Sequence, residues 1–244
     1  MVNQLASVIV LVAAAVCPHP PALVPELAPG ADELAAVRAA AIEATRTLAA
    51  ADPEQLIIIG GGASRVSYPP SPAGTFAGFG VDKPVRLPGA VSEVPDLPLP
   101  LLVGGWLLMQ AGWAEPARGE QIADDTAAEE CAHIGAQLAE TADRVGLLVM
   151  GDGAVGRTDD APRPFDPRAQ EFDRAVADAL RSADALLRLD GDLAAELHVA
   201  GRSAWQVLAG AAGAGSDILL DAAVLYEGAP WGVGYVVAVL ERHG

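Results

Sequence analysis

The stretch Ala6–Cys17, ASVIVLVAAAVC, runs directly into the turn Pro18-His19-Pro20-Pro21. Its β-branched centre, Val8–Val12, is typical of a strand buried on both faces. The stretch is too short for a membrane helix, which needs about 20 residues. A signal peptide needs a positive leading region, and Met1–Ser7 carries no Lys or Arg. We therefore expect a buried first strand that ends at a rigid turn.

Outward from this strand, apolar β-type runs alternate with amphipathic helical stretches, which predicts a layered α/β domain. Thr126 and Glu129 have the spacing of a capping box, and Asp166-Pro167 is typical of a helix start. The expected strands are Leu56–Ile59, Val145–Met150, Ile218–Tyr226 and Gly234–Leu240, and the expected helices are Ala31–Ala50, one from Thr126, one from Asp166, Leu193–Val199 and Ser203–Ala211.

A proline-rich segment interrupts this alternation after the second strand, at about residues 62–100. Val66–Pro100 holds eight of the 19 prolines, and proline is excluded from helix interiors and central strands. The segment is therefore predicted to be a long, largely irregular loop. Phe76, Phe79, Val81 and Val85 are available to anchor it, which favours an ordered loop over the site.

Composition narrows the classes of function. The chain is 52% hydrophobic, which is ample for a large core, and its formal net charge is −17. Such a charge repels nucleic-acid phosphates and anionic membrane surfaces, so neither is an expected partner. The two cysteines, Cys17 and Cys131, show no CxxC spacing. We expect a reducing, cytoplasmic location.

Candidate site residues follow the predicted strands, because ligands bind at the carboxyl ends of strands in open α/β sheets. Four places qualify: Cys17–Pro21, Gly60–Arg65, Gly151–Asp160 and Tyr226–Trp231. His19 is held between prolines, which suits a metal ligand or a general base. An idle, hydrogen-bonded histidine fits equally well.

The other candidates carry weaker patterns. Glu227, at the end of a strand, suits a metal ligand or a base, although a surface glutamate opening a turn is the commoner case. Gly60–Gly62 matches no phosphate-binding spacing, while Ser64 and Arg65 suit an anion. Asp152 and Arg157 lie in a polar loop. The remaining histidines, His133, His198 and His243, have no partner at metal-ligand spacing and fit core or surface positions.

The motifs, taken in order, resemble the class III extradiol ring-cleavage dioxygenases, in particular the LigB-like proteins of that class. The resemblance is carried by Pro18-His19-Pro20-Pro21, Gly74–Gly80, Asp159-Asp160-Ala161-Pro162, Phe165-Asp166-Pro167 with Glu171-Phe172-Asp173, and Tyr226–Tyr235. It implies a single domain over residues 1–244, a three-layer α/β/α arrangement with a central mixed or mostly parallel sheet. It also implies oligomers of the chain.

The resemblance implies a non-haem Fe(II) held by two histidines and one glutamate, with open positions for a catecholate and O₂. His19 then corresponds to the first ligand and Glu227 to the carboxylate. The second ligand's Ser-Pro-His motif is replaced by Gly60–Gly62. The position of the family's acid/base histidine is occupied by Val155, whereas the aspartate of the same motif is present as Asp152. We therefore expect a degenerate iron site that has lost ligands. No bound cofactor is expected unless other residues replace those ligands.

Three functions compete at this point. The first is a small-molecule pocket without iron-dependent cleavage, lined by His19, Arg65, Asp152, Arg157 and Glu227, in which His19 and Asp152 are the catalytic candidates. The expected substrate contacts are Arg65, Arg157, Tyr226 and Trp231. The second is an active Fe(II) dioxygenase acting on a catechol-type substrate, in which His133, His198 or Cys17 replaces a lost ligand. The third is a non-catalytic or interaction protein, for which Trp106–Met109 and Trp113 offer either an interface or core.

Overall fold

The computed structural model describes residues 10–69, 73–86, 97–213 and 220–242. The strands are β1 (Val10–Cys17), β2 (Gln55–Gly62), β3 (Val66–Tyr68), β4 (Ala73–Thr75), β5 (Pro84–Arg86), β6 (Ala117–Ala123), β7 (Arg144–Met150), β8 (Leu220–Gly228) and β9 (Tyr235–Arg242). The α-helices are α1 (Ala35–Ala50), α2 (Leu99–Ala111), α3 (Ala128–Ala139), α4 (Arg168–Ala179), α5 (Ala183–Leu187), α6 (Gly191–Glu196) and α7 (Arg202–Ala211).

The central sheet is mixed, with the strand order β3-β6-β2-β7-β1-β9-β8. Strands β6, β2, β7 and β1 are parallel to their neighbours in this series. Strands β3, β9 and β8 are added to the two sides in antiparallel pairings. The four parallel strands therefore end at one edge of the sheet, which we call the carboxyl edge, and their opposite ends form the amino edge.

Both faces of the sheet are buried, which explains why its strands are continuous apolar runs rather than alternating ones. On β2, Ile57 and Ile59 pack into one apolar cluster, whereas Leu56 and Ile58 pack into the other. Helices α3 to α7 contribute to the first cluster, and α1 and α2 contribute to the second. The predicted three-layer α/β/α architecture with a mixed sheet is confirmed.

Helix α2 settles one alternative that the sequence left open. The side chains of Trp106, Leu107 and Leu108 are buried in the second cluster, and Trp113 packs against it. Met109 is exposed. Four of these five residues therefore serve the core of the chain, and the helix is apolar on nearly all sides because the sheet and its neighbours enclose it.

Two local predictions differ from the structure. The capping box at Thr126 is absent, because α3 begins after Ala127 and its start has no side-chain cap. The proline-rich segment contains the short strands β3, β4 and β5. Of its predicted anchors, Phe76 and Val85 are buried, whereas Phe79 is exposed. Residues 70–72 and 87–96 of this segment lie outside the described residues.

The described helices include none that is both long enough and apolar enough to cross a membrane.

Candidate functional site

Backbone hydrogen bonds at the carboxyl edge join three of the four predicted places. The loop after β7 is joined to the β8–β9 hairpin by backbone hydrogen bonds: Gly153 donates to the Gly234 carbonyl at 2.7 Å, and Gly234 donates to Ala154 at 2.9 Å. Val155 forms an isolated antiparallel bridge with Val233. The same loop reaches the β1 turn, since Gly151 donates to the Cys17 carbonyl at 2.9 Å.

His19 and Asp152 form a pair at this edge. The His19 backbone N–H donates to Asp152 Oδ1 at 2.8 Å, and His19 Nδ1 lies 3.7 Å from the same oxygen. The His19 side chain is only 9% exposed. Its Nδ1 has no hydrogen-bond partner among the described residues. Because buried polar atoms are normally paired, this unpartnered nitrogen beside a carboxylate makes His19 the leading candidate residue at this edge.

Asp124 is a member of the site that sequence reasoning missed. It directly follows β6, a strand whose charged residues hid it from the apolar pattern. A Cβ placed on Gly61 would collide with Asp124 Oδ1 and lie 3.0 Å from the Ala200 carbonyl oxygen. Partial burial of this carboxyl raises the pKa of Asp124, and the nearby His19 opposes that rise. The absence of a side chain at Gly61 thus makes room for the Asp124 carboxylate.

A groove of about 430 Å³ opens beside Asp124, between the start of α3 and helices α6 and α7. Arg202 lines it, but its guanidinium is held by the carbonyl oxygens of Asp124 and Thr126 and by Gln206 Oε1. Asp124 lines this groove, and its carboxyl is near enough to His19 for the imidazole to oppose the rise of its pKa.

Two tyrosines border the site on the side of β8 and β9. Burial raises the pKa of Tyr235, and the neighbouring Asp152 and Tyr226 raise it further. Burial also raises the pKa of Tyr226. Tyr226 and Trp231, both predicted substrate contacts, are partly buried and pack against the second apolar cluster. Both phenols are therefore neutral donors at pH 7.

Arg157 lies in a buried ion pair, and a ligand contact for it stays a prediction. Its Nη1 donates to Asp173 Oδ2 at 3.0 Å, and Asp173 Oδ1 accepts the Ala154 backbone N–H at 2.8 Å. The side chains of Arg157 and Asp173 are 13% and 8% exposed. Burial raises the pKa of Asp173, and the charge of Glu227 raises it further. Asp173 thus anchors the loop after β7 to α4.

Arg65 and Glu227 each have neighbours other than His19. Arg65 Nη1 is 3.7 Å from Glu130 Oε1, and both side chains are about half exposed. Glu227 pairs in register with Val236 and lines a very small cavity together with Asp173 and Trp205. Their assignments as a substrate contact and a metal ligand stay predictions.

The residues present do not fit the three-ligand Fe(II) set that the resemblance implies. At the second ligand position, a Cβ on Gly60 would collide with Pro100, and one on Gly62 would lie 2.6 Å from Gln121 Cδ. No group of three or more His, Cys, Asp or Glu side chains able to hold a metal ion exists within residues 10–69, 73–86, 97–213 and 220–242.

Two of the proposed substitutes for a lost ligand bond other groups, and a third is exposed. Burial raises the pKa of the Cys17 thiol to about 12, and its Sγ donates to the Ala41 carbonyl at 3.8 Å. His133 is exposed on α3 and bonds Gln137 at 3.0 Å. His198 is exposed at the end of α6 with φ of 54°. His243 lies outside the described residues.

Comparison with known proteins gives a fold relationship. No protein-family model and no curated protein matches the chain. Among solved structures, the crystal structure of the uncharacterized protein JW3007 from Escherichia coli K12 is similar, with a TM-score of 0.53 and 12% sequence identity. The match covers 93% of this chain and 99% of that chain. At this identity it establishes the α/β fold alone.

Proposed function

We propose that the chain is a diverged LigB-like protein that binds a small molecule at the carboxyl edge, with His19 as the proton-accepting group. The observation that carries this proposal is the buried His19 imidazole, whose Nδ1 is unpartnered among the described residues and lies 3.7 Å from Asp152 Oδ1. We further propose a cytoplasmic location, in keeping with two free, buried cysteines.

The pair suits general-base chemistry. A neutral imidazole accepts a proton from an acidic hydroxyl, and a carboxylate within 4 Å stabilises the imidazolium that results. Asp152 is itself fixed, because its Oδ1 accepts the His19 backbone N–H and its carbonyl accepts the Ala200 N–H at 3.1 Å. Prolines on both sides of His19 limit the backbone freedom that binding would otherwise remove.

The ligand class that the resemblance suggests is a catechol or a related phenol. Its hydroxyl proton passes to His19, and the Asp152 charge holds the pair together. The tyrosines at positions 226 and 235 add neutral hydroxyl groups at the border of the site, and the groove beside Asp124 offers room for the body of the ligand. Ring cleavage is not part of the proposal, because Gly60–Gly62 supply no ligand side chain and Val155 moves no proton.

Catechol binding to the iron-free full chain tests the proposal. Titration of the isotope-labelled protein with catechol, in the absence of oxygen and with a chelator present, is expected to shift the His19 imidazole resonances. A charge-assisted hydrogen bond contributes about 1.5–3 kcal/mol. His19→Ala is therefore expected to weaken binding by about 10- to 100-fold. Asp152→Asn, which keeps the backbone contact but loses the charge, is expected to weaken it less.

His133→Ala is the matched control, because it removes an exposed imidazole from α3. Catechol affinity is expected to be unchanged in that variant. Equal affinity in wild type and His19→Ala, or no binding by the wild type to catechol and phenol, would show that the edge is not the proposed site.

Iron retention distinguishes this proposal from an active dioxygenase. Wild type and His19→Ala are reconstituted with Fe(II) without oxygen and desalted, and bound iron is measured. We expect less than stoichiometric iron in both proteins, because two protein ligands hold a divalent ion more weakly than three. Stoichiometric iron in the wild type that is lost in His19→Ala would instead indicate a rebuilt iron site and would justify assays for ring cleavage.

A further inference from the structure

A second cavity lies at the amino edge of the sheet, at the opposite end of the strands from His19. It is formed by the starts of β2 and β6 and by the segment that follows α3, and its volume is about 610 Å³. This volume falls within the range of roughly 300–1,000 Å³ that small-molecule sites occupy. The site described above uses none of its residues.

Arg118 gives this cavity an unsatisfied donor. Its Nε is buried and finds no acceptor in the part of the chain that the structure describes. Its Nη2 lies 3.9 Å from Glu120 Oε1, which is longer than a hydrogen bond, while Glu120 Oε2 accepts the Ser67 hydroxyl at 2.7 Å. A guanidinium presents its N–H groups in a planar fork that suits carboxylates. Nε itself is out of contact with solvent, but the side chain is 22% exposed, so an anion that enters the cavity meets the guanidinium.

The other residues that line the cavity indicate which groups a ligand would carry besides its anion. Glu54 and Glu115 are exposed acidic residues of the lining, which favours a cationic group. Pro116 is an exposed and Ala142 a partly buried apolar residue of the lining, and the two offer an apolar surface. The Arg118 guanidinium, the two carboxylates and the apolar surface are together complementary to a zwitterion with an apolar side chain.

We propose that this cavity binds a free α-amino acid with an apolar side chain. Its carboxylate accepts hydrogen bonds from Arg118, its ammonium group lies near Glu54 and Glu115, and its side chain packs on Pro116 and Ala142. The proposal is independent of the function assigned to His19.

Amide chemical shifts of the isotope-labelled full chain test this site with L-leucine, acetate and propylamine as probes. L-Leucine is expected to bind with a Kd in the millimolar range, on the order of 1 mM. The shifts are expected in the amides of residues 54–56, 115, 117 and 118 (residues 53 and 116 are prolines and have no amide N–H). Acetate and propylamine each satisfy only half of the charge pattern, so each is expected to bind about tenfold more weakly.

Arg118→Met keeps the aliphatic stem but removes the donors, and it is expected to weaken L-leucine binding about tenfold or more. Arg46→Met, on the exposed surface of α1, is the matched control and is expected to bind normally. Should Arg118→Met fail to fold, the exposed Glu54→Gln is expected to weaken L-leucine binding without changing acetate binding. No L-leucine shifts at about 20 mM, or unchanged affinity in the folded variants, would overturn the proposal.

Discussion

Arg157→Met is expected to lower the free energy of unfolding by about 3 kcal/mol or more at pH 7.5. The substitution leaves the Asp173 carboxylate without the guanidinium that lies 3.0 Å from Oδ2, in a place where the side chain is 8% exposed. Among the described residues, only the Ala154 N–H would still donate to that carboxylate. An uncompensated buried charge is costly because the protein interior solvates it poorly.

The decrease in the free energy of unfolding caused by Arg157→Met is expected to become smaller as the pH falls. Burial already raises the pKa of Asp173 above its unfolded value, and removing the arginine raises it further. A carboxyl with a raised folded pKa contributes stability below its unfolded pKa, and that stability is lost as the pH rises through the folded pKa. The cost of Arg157→Met is therefore largest at neutral pH and smaller near pH 5 (about one unit above the ordinary Asp value).

Urea unfolding of wild type and variant at both pH values measures this effect. Arg181→Met is the control, since its guanidinium is exposed and only 4.0 Å from Asp178 in an i,i+3 pair. That variant is expected to unfold like the wild type. A loss for Arg157→Met no larger than the control's, or one that does not depend on pH, would contradict the assignment of Asp173–Arg157 as a buried anchor.

Gly135→Ala is expected to destabilise the protein by about 3 kcal/mol. Helices α3 and α7 approach so closely that a Cβ on Gly135 would lie 2.6 Å from the Ala211 amide nitrogen and closer still to the Val207 carbonyl oxygen. The approach is reciprocal, because a Cβ on Gly210 would lie 2.6 Å from Ala132 Cα. Backbone atoms cannot rotate away as a side chain does, so the helices must separate.

Helix propensity alone predicts that Gly135→Ala stabilises the protein. Alanine is favoured over glycine in a helix interior by about 1 kcal/mol, so a net loss shows that the helix–helix contact dominates. Gly78→Ala is the control, since nothing lies within 4 Å of a Cβ at that position. Urea unfolding checks both variants. Stability of Gly135→Ala equal to that of Gly78→Ala would show that α3 and α7 are not packed backbone to backbone.

The same displacement reaches the candidate site. Helix α7 follows directly after Gly201, and a Cβ on Gly151 would lie 2.9 Å from Trp205 Nε1. The Ala200 N–H, one residue before this point, donates to the Asp152 carbonyl. Moving α7 outward therefore loosens the loop that carries Asp152, and catechol binding is a second measure of the effect.

The amino-acid pattern predicted five of the seven strands of the central sheet, and among the elements that it missed, β6 and α2 show the reason. Strand β6 was missed because Arg118 and Glu120 interrupt its apolar run; Glu120 is nevertheless buried, since the Ser67 hydroxyl and Arg118 flank its carboxylate. Helix α2 was left undecided because it is apolar on nearly all sides and has no amphipathic period. In both cases the missing information is the neighbour that covers the residue, which periodicity does not contain.

The sequence by itself determined the α/β class, the buried strands β1, β2 and β7, and the position of His19 at a strand end. Each follows from local rules: β-branched runs, helical spacing and proline restraint. Only the tertiary structure decided that Asp124 belongs with His19, and that Asp173 engages Arg157. The reason is physical, because both arrangements depend on how strands and helices distant in the chain are placed beside one another, and burial and charge act between neighbours in space.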